Sequence, residues 1–411
     1  MILKNKLTTS TALLAASTMF FATGMAAAQD YSGDVVKIGI MNDQAGLYAD
    51  NCGPGAVEAA KMAIEDFGGE VNGKKIELLI ADDQNKPDLG VPIAQKWIDQ
   101  DGVDTIVGCS ASNIALPIQE VMADRKKPYL IAGSASSALT NDKCTPYSTQ
   151  WILDTYAMAK GAVKSMTAAG KKSFYFITVD NAFGKQWQTD ATRFIEEDGA
   201  KVLGSVTHPL NTTDFSSYLL QAQASGAEVI VLANSGSDFS NAVKQAGEFG
   251  IQAGGQDVVA LGLQINQVHG IGLAAVKGLN IVTPGAYWDR DDETRAFADR
   301  FKKRFRDRIP NESMEGTYSA VTHYLKAAKE AGTDNGETVN AKMREIPIND
   351  FQLKDVKIRA DGQVMRPWYA VTIKAPEDVK QPYDYYVVNR EIPAEDIWRP
   401  ASESACPLLK Q

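Results

Sequence analysis

The chain has 411 residues, with 42 Lys and Arg against 51 Asp and Glu, and a formal charge of −9. An acidic surface repels nucleic acid and anionic lipid headgroups, and no basic run with interleaved aromatics offsets it, so nucleic-acid binding is excluded. Single cores stop growing beyond ~250–300 residues, so two domains are expected.

In chain order, Lys4 and Lys6 come first, followed by an uncharged apolar and small-residue stretch from Leu7 to Met25 and then Ala26-Ala27-Ala28. This is the pattern of a secretory leader, residues 1–28, cleaved after Ala28. Its loss removes two Lys and takes the formal charge from −9 to −11. No later segment approaches the ~18 apolar residues of a membrane span. Cys52, Cys109, Cys144 and Cys406 all survive cleavage. An even number of Cys in an oxidising compartment favours disulfides, with three connectivities open. The absence of a C-x-x-C pair argues against zinc or redox chemistry.

Strand-like apolar runs then alternate with helical spacing. Strands are expected at 35–41, 76–81, 105–109 and 129–132, and helices at 57–67, 91–98 and 114–122. Residues 142–154, rich in turn and aromatic residues, read as a crossover. The pattern restarts with strands at 173–179, 202–207, 229–233 and 258–263, and helices at 186–197, 218–224 and 242–249. Continuous apolar strands between amphipathic helices predict parallel sheets covered on both faces, and two such series predict two doubly wound lobes. After a strand-like run at 279–283, helices at 292–306 and 317–331 are assigned back to the first lobe. A short helix is expected at 338–346 and a strand at 365–372; the tail to Cys406 shows little periodicity.

Catalytic signatures are missing. His208, His269 and His323 have no metal-ligand spacing, and there is no H-E-x-x-H, Walker A or G-x-S-x-G motif. The glycines of Gly270-Ile271-Gly272 follow no strand, as a dinucleotide loop requires. The acidic cluster Asp289, Asp291, Asp292 and Glu293 lacks a calcium loop's spacing and reads as a helix cap with an acidic first turn. Asp82-Asp83 reads as a pair serving loop amides.

The informative residues lie at the strand ends, where open α/β sheets bind ligands. These are Tyr48, Ser110 with Ser112 and Asn113, and Gly133-Ser134-Ala135 in the first half. The second half places Phe183, Ser235 and Gln264 there. Neutral donors, small residues and aromatics fit a pocket that holds a ligand without transforming it. First-turn amides near Ser110–Asn113 suit an anion such as a carboxylate.

Several of these stretches resemble a known family. Gly46-Leu47-Tyr48-Ala49-Asp50 precedes a helix carrying Ala59-Ala60-Lys61-Met62-Ala63. Gly108-Cys109-Ser110, Gly133-Ser134-Ala135-Ser136, Val179-Asp180-Asn181-Ala182-Phe183-Gly184 and Asp214-Phe215-Ser216 follow in order. Together they resemble the type I periplasmic solute-binding proteins, and more narrowly the leucine/isoleucine/valine-binding family of ABC transporters. The resemblance implies two doubly wound lobes joined by a three-strand hinge near Asp154, Pro284 and Phe351. Residues 29–153 and 286–348 would form lobe 1, 154–285 and 349–385 lobe 2, and 386–411 a C-terminal tail. It also implies a periplasmic monomer without a cofactor, a small-molecule solute and an inner-membrane ABC permease as partners, with a ligand-presenting sensor for a chemoreceptor or kinase as the alternative. Tyr48, Ser110, Gly133, Ser134 and Ala135 become ligand contacts of the first lobe. Phe183 and Ser235 fall where amino-acid binders have Tyr, and Gln264 where they have the Glu that pairs with the ligand ammonium. A buried ammonium there would lack its carboxylate, and a neutral amide suits a hydroxyl, carbonyl or amide, so the expected solute is a small carboxylate or amino-acid-like compound, aromatic or aliphatic carboxylates fitting better. Trp151, Tyr287 and Trp288 either line an aromatic slot or pack the hinge. The resemblance also supports the pairings Cys52–Cys109, on the cleft rim, and Cys144–Cys406, stapling the tail.

Overall fold

The computed structural model describes residues 1–2, 30–260, 263–285 and 288–410. The expected leader, but for its first two residues, lies outside them, as does Tyr287. The first series runs β1 (Val35–Asn42), α1 (Ala49–Cys52), α2 (Pro54–Phe67), β2 (Glu70–Val71), β3 (Lys74–Asp82), α3 (Pro87–Asp99), β4 (Thr105–Gly108), α4 (Ser112–Asp124), β5 (Tyr129–Ile131) and β6 (Ser148–Gln150). Its strands form one sheet in the order β2-β3-β1-β4-β5-β6, parallel except where β2 pairs with β3. All four residues of β4 are buried, because helices cover both faces of the sheet. Local signals set the helix ends: α2 starts on Pro54 and stops at Gly68, whose φ of 103° suits glycine.

The second series comprises α5 (Thr155–Ala168), β7 (Ser173–Val179), α6 (Ala182–Glu197), β8 (Lys201–His208), α7 (Ser216–Ala224), β9 (Val229–Ala233), α8 (Gly236–Glu248) and β10 (Asp257–Ala260). Its four strands are parallel in the order β10-β9-β7-β8. After α9 (Ile265–Ile271) and α10 (Leu273–Val276), β11 (Asn280–Thr283) does not extend that sheet. It joins β12 (Trp368–Ile373) and β13 (Tyr386–Ile392) in a separate antiparallel sheet. The expected tail thus starts inside a sheet, since Tyr386–Ile392 is one of its strands.

The chain returns to the first sheet with α11 (Asp292–Arg304), α12 (Glu312–Ala331) and α13 (Gly336–Glu345), and α14 (Ala394–Ile397) precedes the C-terminus. Ala320, Val321, Tyr324 and Leu325 of α12 share a core with Val36, Ile38 and Ile40 of β1. Phe297 and Phe301 of α11 pack on Ala59 and Met62 of α2. The acidic cluster acts as a cap: Asp291 accepts from the Thr294 amide at 2.9 Å. Asp82 accepts from the Gln44 and Gln84 amides at 3.1 and 2.9 Å, as a loop-stabilising carboxylate does.

Three segments pass between the halves. The first follows β6, where Asp154 caps α5 by accepting from the Ala157 amide at 2.9 Å. Burial, and next the neighbouring Asp190 carboxylate, raise the Asp154 pKa to about 7. The second leaves β11 at Thr283. The third differs from the expected passage at Phe351. Leu353, Val356, Ile358 and Val364 belong to the first sheet's core, so the chain crosses between Val364 and Trp368, and the expected boundary at 348/349 moves with it. Phe351 instead stacks on Phe297 with centroids 3.9 Å apart. Disulfides join Cys52 to Cys109 and Cys144 to Cys406. Among the described residues no helix is long and apolar enough to cross a membrane, and no group of three or more His, Cys, Asp or Glu could hold a metal.

Candidate ligand-binding cleft

The carboxyl ends of the strands in both parallel sheets open onto one cleft of about 600 Å³, counted out to its mouth. On the first-sheet side, the loop after β1 is shaped by buried Asp43, whose carboxylate accepts from the amides of Gly46 at 2.6 Å and Tyr48 at 2.9 Å. That fold-back carries Tyr48 to the rim. Its phenol is pushed well up, first by burial, then by the Asp238 carboxylate of α8, while the Asn181 side chain opposes the rise. Tyr48 reaches the opposite half, since a Cβ on Gly236 of α8 would lie 3.0 Å from its Cδ1.

Beyond β4 the chain runs through Cys109 and Ser110 into α4. Ser110 donates its hydroxyl to buried Asp83 and, at 3.2 Å, to the Met41 carbonyl. Burial is the main cause that raises the Asp83 pKa. Ser134 in turn donates to the Ser110 carbonyl. Both hydroxyl protons are committed inside the protein, which leaves these hydroxyls as acceptors towards the cleft. What this edge offers a guest is the start of α4. Ala111 occupies its N-cap and supplies no side-chain acceptor. The Ile114 amide already donates to the Ala111 carbonyl at 2.9 Å, which leaves the Ser112 and Asn113 amides at the helix start without an acceptor from the cap side chain, and Ala is among the poorest caps. Gly133 completes the floor, since a Cβ there would land on Cys109 Sγ and lie 3.0 Å from Cys52 Sγ.

The other wall comes from α6, α8 and the start of α9. Asn181 caps α6 by accepting from the Gly184 amide at 2.9 Å, which fixes Phe183 over the cleft. Trp187 follows one turn on, with ring centroids 5.0 Å apart at 41°. Ser235 stands at the N-cap of α8 without a side-chain cap bond; its hydroxyl accepts from Asn51 Nδ2 at 3.5 Å. The Gln264 carboxamide is held at both ends: Nε2 donates to Ser313 Oγ at 2.7 Å and Oε1 accepts from Asn311 Nδ2 at 3.2 Å.

Tyr48, Ser110, Gly133, Ser134, Ala135, Phe183, Ser235 and Gln264 thus all line one cleft, as does the Cys52–Cys109 cystine. Trp151 does not. It is fully buried, donates from Nε1 to Thr149 Oγ1 at 2.9 Å and meets His323 edge-on. Its neighbour β6 turns the ring into the first core. Trp288 donates to the Tyr383 carbonyl at 2.9 Å, away from the cleft lining. Sequence reasoning missed Asn51, Leu153, Met158, Trp187 and Ser313. Trp187 was within reach, because it lies four residues from Phe183 on one helix face. No described residue of the lining carries a charged side chain.

Two facing α/β sheets with a neutral cleft between them define a two-lobed solute-binding protein. The chain belongs to the periplasmic binding protein family, whose model matches residues 35–378. It is similar to a periplasmic binding protein from Burkholderia mallei, at 42% identity and a TM-score of 0.88, covering 91% of this chain and 99% of that one. It is also similar to a branched chain amino acid ABC transporter periplasmic ligand-binding protein from Burkholderia xenovorans, at 36% identity and a TM-score of 0.79, covering 91% and 100%. A Leu/Ile/Val-binding protein homolog from Brucella abortus is 26% identical over 371 residues, 86% of this chain and 95% of that one. The family consists of substrate-binding proteins, not enzymes. The chain is accordingly a periplasmic, solute-binding component of an ABC importer, which implies a membrane permease as partner.

Proposed function

We propose that the protein, as a monomer freed of its leader after Ala28, captures a small carboxylate that lacks an ammonium group and closes its lobes around it. The observation that carries this reading is the start of α4: a helix of 13 residues opening on the cleft behind an Ala cap. The Ser112 and Asn113 amides and the positive end of the helix favour an anion. An ammonium would need a carboxylate, because a buried unpaired charge is costly. The lining supplies none among the described residues, and Gln264 stands where an acid would serve.

Closure follows from the contacts that already bridge the halves. Asn266 Nδ2 donates to the Asp50 carbonyl and to Asn51 Oδ1, both at 3.1 Å, and Asn311 Nδ2 donates to Asn266 Oδ1 at 3.0 Å. A ligand touching both walls stabilises this arrangement by its differential affinity for it, and the permease then reads the closed form.

Gln264→Glu tests the charge argument. The new carboxylate keeps acceptors for Asn311 and Ser313 but places a negative charge in a neutral cleft. Calorimetric titration should show carboxylates weakened by at least about tenfold, the equivalent of ~1.4 kcal/mol. An unchanged carboxylate affinity would contradict the assigned polarity.

A further inference from the structure

Asp190 of α6 is a buried carboxylate that collects its donors from separate parts of the molecule. Ser137 Oγ donates to Oδ2 at 2.8 Å, Thr155 Oγ1 at 2.7 Å and Gln186 Nε2 at 3.3 Å, while Arg399 donates to Oδ1 at 3.1 Å. Ser137 belongs to the first half: Leu139, just beyond it, packs with Met41 and Ile106 of the first sheet. Thr155 opens α5 directly after the first crossover, and its Oγ1 also accepts from the Ser137 amide at 3.0 Å. Gln186 lies on α6 itself. Arg399 supplies the countercharge from the tail, which the Cys144–Cys406 bond fixes to the first half. Other buried carboxylates around the cleft serve one half each. Asp43 holds the Gly46 and Tyr48 amides, Asp83 the Asn85 amide and the Ser110 hydroxyl, and Asp238 the Asn211 amide. A buried carboxylate is costly unless hydrogen bonds and a countercharge offset it, and Asp190 draws these from both halves. The helix that carries it is also the cleft wall. Phe183, Trp187 and Asp190 follow one another at i, i+4 and i+7 on one buried face of α6.

We infer that Asp190 is a positioning residue, a latch that draws the α6 wall with Phe183 and Trp187 onto the first half and so retains the solute. This rests on the lobe closure described above, not on the charge of the solute. Rotation of the halves about the crossovers changes the Ser137–Asp190 distance. It leaves the Gln186–Asp190 bond alone, because both residues ride on α6.

The test compares Ser137→Ala with Gln186→Ala. Each removes one donor from the same carboxylate oxygen and leaves two others on it, so neither strands a buried charge. Only the first removes a bond between the halves. Small-angle scattering of ligand-free protein should give Ser137→Ala a larger radius of gyration than wild type, and Gln186→Ala the wild-type value. In stopped-flow binding of 3-phenylpropanoate, the dissociation rate of Ser137→Ala should rise by roughly tenfold with association almost unchanged, because the latch forms after encounter. Gln186→Ala should keep both rates. The unfolding temperatures of the two variants should fall alike, so lost stability does not produce the difference. Identical scattering of the three proteins overturns the latch, as do equal dissociation rates in the two variants. Failure of 3-phenylpropanoate to bind wild-type protein bears on the carboxylate reading alone, and the scattering then decides the latch by itself.

Discussion

Replacing Gly236 with alanine should weaken solute binding by roughly 10–100-fold, an effect of ~1.4–2.8 kcal/mol, at only a modest cost to the ligand-free fold. Gly236 opens α8 with φ +65°, and a Cβ there would lie 2.6 Å from the Leu47 carbonyl and 3.0 Å from Tyr48 Cδ1. Both neighbours belong to the loop after β1, on the opposite wall. The methyl group therefore has two separate consequences. One is backbone strain in the left-handed region, ~1–2 kcal/mol, present whether the lobes are apart or together. The other is a clash that exists only when the two walls meet. Gly250, just beyond the end of the same helix, separates them. Its φ is +62°, and the nearest atom to a new Cβ is the Ala253 methyl at 4.0 Å. Gly250→Ala pays the strain without the clash. Thermal unfolding of the two ligand-free variants should fall by similar amounts, a few degrees, whereas titration calorimetry should show the large affinity loss in Gly236→Ala alone. Equal affinities in the two variants would mean that this contact plays no part in holding ligand.

The double variant Cys144→Ser with Cys406→Ser should lose about 2–5 kcal/mol of stability, the usual cost of removing a native disulfide. The bond closes a sequence separation of 262 residues, so the unfolded chain gains much freedom when it is cut. The tail it anchors lies across both halves. Ser404 and Ala405 bond to Asn141 Oδ1 at 3.3 and 2.7 Å on the first half. Glu403 accepts from Arg193 of α6 at 2.6 Å and from Tyr156 of α5 at 3.1 Å on the second. Arg399 reaches Asp190 at 3.1 Å and lies over the Tyr156 ring, 4.2 Å from its centroid. The Arg193–Glu403 pair is partly exposed, and such pairs contribute ~0–1 kcal/mol, so it does not replace the covalent link. The unfolding midpoint under non-reducing conditions should drop by about 5–15 °C. A drop of under a degree or so would show that the noncovalent contacts hold the tail unaided.

Much of this architecture was legible because the parallel strands are buried on both faces and read as unbroken apolar runs. Val229–Ala233 is buried at every position and stands out in the sequence for that reason. The strand ends carried the site for a topological reason, since loops at the carboxyl edge must be polar yet small enough to admit a guest. Elements that broke those patterns were lost. β6 is Ser-Thr-Gln, fully buried yet polar, and gives no apolar signal. β13 is exposed through its middle and shows no alternation. α5 is built largely of small residues, with Gly161 against Val282 of β11, so its buried face lacks the large side chains that mark a stripe. The division of the antiparallel sheet from the second parallel sheet was not readable either, since pairing partners 90 residues apart leave no local trace. Trp151 shows the limit at the site itself. Composition near a crossover reveals an aromatic ring but not whether it faces cleft or core; the register of β6 decides that.

The central claim is that the neutral cleft holds a carboxylate and has no place for an ammonium. Its most direct test is a thermal-shift screen in which each ligand comes as a pair: an α-amino acid and the same carbon skeleton without the amine, such as leucine with 4-methylpentanoate and phenylalanine with 3-phenylpropanoate. The account predicts that amine-free acids raise the unfolding temperature and that their amino counterparts raise it less or not at all. Stabilisation by the amino acids alone would contradict it.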